Sequence, residues 1–413
     1  MRVLILSQYY SPEPVPKPSE LAEALRQRGH EVSVLTGYPN YPAGDLYEGF
    51  RLRPMTRSVV DGVPVVRAFE YPYHGTRALG RMLNYASFML AAPLASLFSP
   101  KCDVIYVWHP PLTVGVAAAI IARLRRVGFV YDVQDIWPES AVLSGLLKEG
   151  LLVRFMAWLE RLVYRQADHL FVVTEGAREN LIGKGVPPAK ISVARHWVDP
   201  QVFAPVESDA RHVTRAEHGW TERFVLLFAG NVGLVQGLDT IVDAAAALPE
   251  DSNALIAIVG DGTDRQRLQD RVNASGLSHR VQFLARRPPA AMPPLFAAAD
   301  ALLVHLRKSD LSRLIIPSKT LAYLAAGRPV VMAMEGAAAD VVTAAGAGIV
   351  LPSEDAARLV EAIEALRTTP ATKRQAMGER AVAYLAAHFA KDVVIPGYVE
   401  TLRRVARARG RQA

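Results

Sequence analysis

The feature that most limits the folds open to this chain is a strand–helix alternation that runs for about half the sequence, stops at one polar passage and starts again. In the first half, apolar strand-like runs fall at Val3–Ser7, Glu31–Thr36, Val63–Phe69, Val104–Trp108, Val127–Asp132 and His169–Thr174. Helical patterns lie between them at Ser19–Arg28, Leu112–Arg125 and Leu151–Gln166. Val, Ile and Leu fill the strands with little alternation, as in parallel strands covered on both faces. The stretch from His196 to Glu222, with Pro200, Pro205 and few apolar clusters, reads as a linker. The alternation resumes with Phe224–Phe228, Ala254–Val259, Val281–Leu284, Ala301–His305, Pro329–Met332 and Gly348–Leu351. The expectation is α/β throughout: two doubly wound, Rossmann-like domains over residues 1–200 and 201–390, facing a central cleft. Residues 391–413 form a final helix, with a return onto the first domain as one arrangement open to it.

Charge narrows the partners. The 413 residues are 51% hydrophobic and carry a net charge of +7, which points to nucleic acid, phosphate-bearing ligands or an anionic membrane face. Arg403, Arg404, Arg407, Arg409 and Arg411 supply much of the excess and read first as a solvated helix face. The aromatic-plus-basic pattern of RNA-binding modules is missing, so no nucleic acid partner is expected. Cys102 is the only cysteine, which rules out an intramolecular disulfide and fits a reducing, cytoplasmic setting. The opening MRVLILSQYY is too short in its apolar part for a secretory signal and reads as a first strand. The apolar run Tyr85 to Phe98, flanked by Arg77, Arg81 and Lys101, falls short of the ~20 residues that cross a bilayer. It is either a buried helix or one lying in the membrane interface, and the basic flanks favour a peripheral place on the cytoplasmic membrane face.

Two short motifs carry chemistry in the second half. Phe224–Phe228 ends in the small-residue turn Ala229-Gly230-Asn231-Val232-Gly233, and a helix-like segment begins near Gly237, just after Gln236. Amides at such a turn and helix start favour anions. Pro317-Ser318-Lys319 opens another helix with a cation in its first turn, where the helix dipole disfavours one. Together they suggest a diphosphate site; an ordinary α/β turn plus a surface lysine is the plainer reading. Gly260-Asp261-Gly262 is a second glycine turn after a strand and belongs to the same picture. No Asp-x-Asp or His/Cys cluster with metal spacing is present, so no metal and no separate cofactor is expected.

In the first half, His109 follows the strand Val104–Trp108, while Asp135 and Glu139 follow Phe129–Val133. Strand ends are where such sheets bind ligands, so these three are candidates for hydroxyl binding or acid/base work. Helix capping is an equal reading for Glu139, with Pro138 suited to a first turn, and a plain structural role is an equal reading for His109. The loop Gln8 to Pro18 is proline-stiffened and lacks the glycines of a dinucleotide fingerprint, which disfavours an oxidoreductase. Its Tyr9 and Tyr10 suit either stacking on a sugar or lipid, or plain packing.

Taken in order, Arg28-Gly29-His30-Glu31-Val32, Asp135-x-Trp137-Pro138-Glu139, Gly230-Asn231-x-Gly233-x-x-Gln236-Gly237, Pro317-Ser318-Lys319 and Ala325-Ala326-Gly327-Arg328-Pro329 resemble family 4 glycosyltransferases of the GT-B fold, nearest the colanic acid and O-antigen branch with its L-fucosamine transferase type. The resemblance covers essentially the whole chain. It implies a second domain that binds a nucleotide-diphosphate sugar and a first domain that binds the acceptor, with metal-independent transfer that retains anomeric configuration. It also implies that Gly230, Asn231, Val232 and Gly233 contact the diphosphate, that Lys319 neutralises it, and that Asp135 and His109 face the transfer centre. Many relatives have an Arg and a Lys where this chain has Asn231 and Gln236, and two glutamates where it has Leu314 and Ala322. Those departures put weight on Lys319 and Arg313.

The expected function is therefore a retaining glycosyltransferase that uses a UDP- or GDP-sugar and a saccharide acceptor, such as an undecaprenyl-diphosphate-linked one at the inner membrane surface, in surface-polysaccharide synthesis. A sugar-nucleotide 2-epimerase and a catalytically silent nucleotide-sugar-binding subunit are the alternatives.

Overall fold

The computed structural model describes residues 1–75, 77–143, 147–148, 150–206 and 208–410; Arg411 of the arginine cluster lies outside them. The chain divides into two compact units: Met1–Arg195 together with the chain from Ile395, and His196–Val394.

The first unit holds an eight-stranded sheet, β1 (Arg2–Leu6), β2 (Glu31–Thr36), β3 (Met55–Val60), β4 (Val63–Ala68), β5 (Val104–Trp108), β6 (Gly128–Val133), β7 (His169–Val172) and β8 (Ile191–Val193). Its order is β3-β4-β2-β1-β5-β6-β7-β8. Every pairing is parallel except β3 with β4, a hairpin turning at Asp61-Gly62 where both residues have positive φ. The edge strand β3 escapes a sequence reading because its Arg57, Ser58 and Val59 are exposed and carry no buried run. Strand order reverses between β1 and β5, and His109 lies just past β5.

The second unit holds a six-stranded, all-parallel sheet: β9 (Phe224–Ala229), β10 (Ala254–Val259), β11 (Val281–Leu284), β12 (Ala301–His305), β13 (Val330–Ala333) and β14 (Gly348–Leu351), in the order β11-β10-β9-β12-β13-β14. Its reversal point falls between β9 and β12, so the loop after β9 lies at the ligand-binding crevice of such a sheet. Leu226, Phe228, Ile256 and Ile258 point into one core layer and Val225, Leu227, Leu255 and Ala257 into the other, which is why the strands read as continuous apolar runs.

Three expectations need correction. The passage read as a linker contains an eleven-residue helix, Ser208–His218. Its Arg211 and Arg215 reach the carboxylate of Asp300, and Arg215 also the carbonyl of Ala298, so docking comes from polar side chains that no apolar stripe announces. The proline-rich loop ends at Val15, because Pro16 begins the helix Pro16–Gln27 as a first-turn proline. The apolar run Tyr85 to Phe98 belongs to a longer helix, Ala78–Ser96, with Pro93 inside it. No helix among the described residues is long and apolar enough to cross a membrane.

The last helix, Lys391–Gly410, passes from the second unit into the first. There Tyr398 sits between Tyr106 and Phe171, at ring-centroid separations of 6.1 and 4.4 Å.

Candidate functional site

In the second unit the end of β9 is fixed from one side by helix Ser318–Ala325. The Tyr323 hydroxyl accepts from the amide of Ala229 at 2.8 Å and donates to its carbonyl at 3.1 Å. Lys319 is four residues, one helical turn, earlier, so its side chain leaves the same face one step further along the chain it touches. Its Nζ lies 3.7 Å from the centroid of the Phe228 ring, and 2.9 Å from where a Cβ on Gly230 would stand. That ammonium is buried and has no hydrogen-bond partner. Loss of water lowers its pKa from 10.5 to about 7.

The two glycine turns are stitched together. Gly230 N–H donates to the Val259 carbonyl at 2.9 Å, and Val232 N–H to the Asp261 carbonyl at 2.8 Å. A Cβ on Gly260 would run into the Gly230 carbonyl, and one on Gly262 into the Val232 carbonyl. Glycine is required at both by contact as well as by φ of 150° and 158°. Asn231 Nδ2 and Gly233 N–H both donate to Gln236 Oε1 at 3.1 Å. Gln236 is held in turn by His305, whose Nδ1 meets the Gln236 carbonyl at 2.6 Å.

This arrangement revises the anion-cradle expectation. The amides of Gly230, Val232 and Gly233 already have acceptors, and a 3-10 turn, Leu234–Gln236, precedes the helix, which starts at Asp239 rather than near Gly237. Asp239 is ion-paired with Arg267 and Arg271, so that helix start is already supplied with charge. The unsatisfied group at the turn is Lys319. Gly230, Gly233, Gln236, Gly260 and Lys319 come together as read; Arg313 lies exposed in a separate turn, Ser312–Leu314, with its backbone against Gly336. Pro317 caps helix Ser318–Ala325 with its backbone alone, and Ser318 is exposed.

In the first unit, the Asp135 N–H donates to His109 Nδ1 at 3.4 Å. Nδ1 is then the acceptor nitrogen, which leaves the proton on Nε2. His109 is buried, and desolvation drives its pKa from 6.5 to about 3, so the ring is neutral at physiological pH. Burial also raises the Asp135 carboxyl. Glu139 takes a different place from the one expected of it. It opens the short helix Glu139–Leu143 and pairs with Lys184 at 2.8 Å, and Lys184 also holds buried Glu160 at 2.9 Å. Tyr9 and Tyr10 are both buried, and Tyr9 packs against Tyr41 at 5.1 Å, which favours the packing reading over an open stacking platform.

Residues 17–197 match the family described as glycosyl transferase 4-like domain, and residues 211–383 match glycosyl transferases group 1. The chain belongs to the family 4 glycosyltransferases of the GT-B fold. Among relatives of this glycosyltransferase is WcaI of Escherichia coli (strain K12), whose name assigns it to colanic acid biosynthesis; identity is 27% over 345 residues, 81% of this chain and 84% of WcaI. WbjE of Pseudomonas aeruginosa, named as a glycosyltransferase, is 27% identical over 72% of this chain and 74% of its own. Anabaena HepE, solved in complex with UDP, superposes with a TM-score of 0.72 at 18% identity, covering 98% of this chain and 100% of HepE, and so shares the fold.

Three residues of the glycosyltransferase escaped the sequence reading. Tyr323 and His305 position Ala229 and Gln236; the signals for them were the four-residue spacing from Lys319 and a histidine at a strand end. Asp132 is a buried carboxylate on β6 that accepts from Tyr106 at 2.5 Å and Gln134 at 2.6 Å, with a further bond from Tyr398. Nothing local marks it, because one of its partners lies 266 residues later in the sequence.

Proposed function

We propose that this glycosyltransferase moves a sugar from a UDP- or GDP-linked donor, with retention, to a saccharide acceptor carried on undecaprenyl diphosphate in surface-polysaccharide synthesis. The observation that carries the reading is the buried Nζ of Lys319, without a hydrogen-bond partner, beside the glycine turn that follows β9. A buried polar group without a partner is costly, and a diphosphate oxygen is the partner that an ammonium there would take. The names of WcaI and the UDP held by HepE support a nucleotide-sugar donor and a polysaccharide product.

On this reading the second unit holds the donor and the first holds the acceptor. No metal is required. Lys319, protonated when the diphosphate arrives, stabilises the negative charge that develops on the leaving group. The bond from the anomeric carbon to the diphosphate oxygen breaks as the acceptor oxygen bonds on the same face. The acceptor proton passes to the departing diphosphate. His109, neutral with its proton on Nε2, acts as a hydrogen-bond donor to a sugar hydroxyl, and Asp135 as an acceptor. Carriage of the acceptor on a lipid puts the enzyme at the cytoplasmic membrane face.

Incubation of the purified protein and bacterial membranes with a panel of radiolabelled UDP- and GDP-sugars tests this. Label in organic-extractable lipid from one donor is expected. A C2-epimerised nucleotide sugar, or donor binding with no turnover at all, would overturn the transferase assignment. The second of those outcomes would suit Leu314 and Ala322 standing where relatives carry glutamates.

A further inference from the structure

Three helices on one side of the first unit's sheet leave an apolar face without cover. Helix Ala78–Ser96 packs on helix Leu112–Arg125, which packs in turn on helix Leu151–Gln166. Gly115 allows a close approach of the second and third helices, since a Cβ there would run into Val163. These helices carry half of the exposed large apolar side chains among the described residues, including Leu90, Leu94, Leu124, Phe155, Trp158 and Leu162. Single exposed apolar residues are ordinary, but their recurrence along three adjoining helices is not. Phe155 and Trp158 stack at 5.8 Å on the surface, with nothing laid over them.

Charge identifies what covers this face. The three helices contain six arginines and a single acidic residue, Glu160, which is buried and neutralised by Lys184. Arg154, Arg161 and Arg165 flank the apolar ridge of the third helix, and all three are exposed. Arg123 ties the second helix to the third through Gln166, at 3.2 Å. An apolar ridge edged by arginine, with no exposed carboxylate on the three helices, is complementary to the interface of an anionic bilayer.

We propose that the face formed by these three helices docks on anionic lipid, with Phe155 and Trp158 entering the interface. The surface gives a physical means to the membrane location proposed above and rests on that reading. The region Tyr85 to Phe98 supplies part of the face, and the ridge of Leu151–Gln166 supplies the aromatic anchor that the sequence alone did not single out.

Trp158 is an internal reporter. It is 53% exposed, while Trp108, Trp137, Trp197 and Trp220 are all at 9% or less. Full-length protein is mixed with phosphatidylcholine vesicles, with and without phosphatidylglycerol, in the absence of sugar nucleotide. The expected result is co-sedimentation roughly tenfold or more stronger on the anionic vesicles and weakened by salt. A blue shift of Trp158 emission and quenching by brominated lipid are expected to accompany it. Phe155→Ser is expected to lose most of the binding while keeping its circular dichroism spectrum and its UDP binding. Equal binding to neutral vesicles would overturn the role of charge. Absence of vesicle binding would overturn the proposal, and a concentration-dependent dimer lost in Phe155→Ser would then assign the face to a second copy of the chain. Because no donor is used, a negative result leaves the sugar-transfer reading standing.

Discussion

The ammonium of Lys319 lies directly against the α-carbon side of Gly230: a Cβ on Gly230 would stand 2.9 Å from Nζ. Glycine at 230 leaves the ammonium that approach to the turn after β9 without a side chain in its way. Removing the amine removes one preorganised charge from the leaving-group site. Lys319→Ala is expected to lower kcat/KM by roughly 2–4 kcal/mol, with circular dichroism unchanged. Near-normal steady-state turnover in the folded variant would refute the assignment.

Lys319 also links stability to pH. In the ligand-free protein its pKa is about 7, against 10.5 for an ordinary lysine, so between those values the unfolded chain binds more protons than the folded one. Stability is expected to rise with pH across that window and to be flat below it with respect to this group. Lys319→Met, of similar shape and no charge, is expected to abolish that slope in urea titrations.

The same shift makes diphosphate binding take up protons. At pH 8.5 the free protein holds Lys319 largely neutral, and a bound diphosphate favours the ammonium. Calorimetric titration with UDP in buffers of different ionisation heat is expected to give an uptake approaching about one proton, absent in Lys319→Met. An enthalpy independent of buffer would mean that Lys319 does not meet the ligand.

The paired glycine turns predict an ordering of variants. Gly260→Ala places a methyl against the backbone carbonyl of Gly230, which has no freedom to move, whereas Gly230→Ala meets the flexible end of Lys319. Both carry a positive φ that costs on the order of 1–3 kcal/mol. Gly260→Ala is expected to be the less stable of the two by thermal denaturation. Gly230→Ala is expected to lose UDP affinity beyond its loss of stability, because it displaces the ammonium.

His109 predicts a separation of binding from turnover. Its ring is neutral across the working pH range, so no limb of a kcat–pH profile is expected from it. His109→Ala and Asp135→Asn are expected to lose turnover while UDP binding, measured by calorimetry, is kept. Loss of nucleotide affinity in either would mean that the two units have their roles reversed.

Much of the sheet architecture was legible because each buried strand is a continuous run of Val, Ile and Leu, as in Val104–Trp108 and Ala254–Val259. A strand absent from that reading, Met55–Val60, is held by pairing to one neighbour and shows solvent its other edge, so burial leaves no trace in its composition. The site was legible in its residues and not in its contacts. Gly230 and Lys319 were marked by local sequence, but burial of the ammonium depends on Phe228, which lies 91 residues before it. Glu139 shows the converse. Its position at a helix start suggested two roles, and only the distant Lys184 decides that it is ion-paired.

The return of helix Lys391–Gly410 to the first unit has a consequence for how the molecule is made. Asp132 lies on β6, yet one of the hydroxyls that satisfies it belongs to Tyr398, and Tyr398 also covers Tyr106 and Phe171. During synthesis the first unit is therefore complete in its strands but bare on that side until the whole second unit has been translated. For that interval Asp132 keeps its bonds from Tyr106 and Gln134 but lacks the one from Tyr398, and Tyr106 and Phe171 lack the ring that packs against them. The domain that begins first is closed only by residues made after the second.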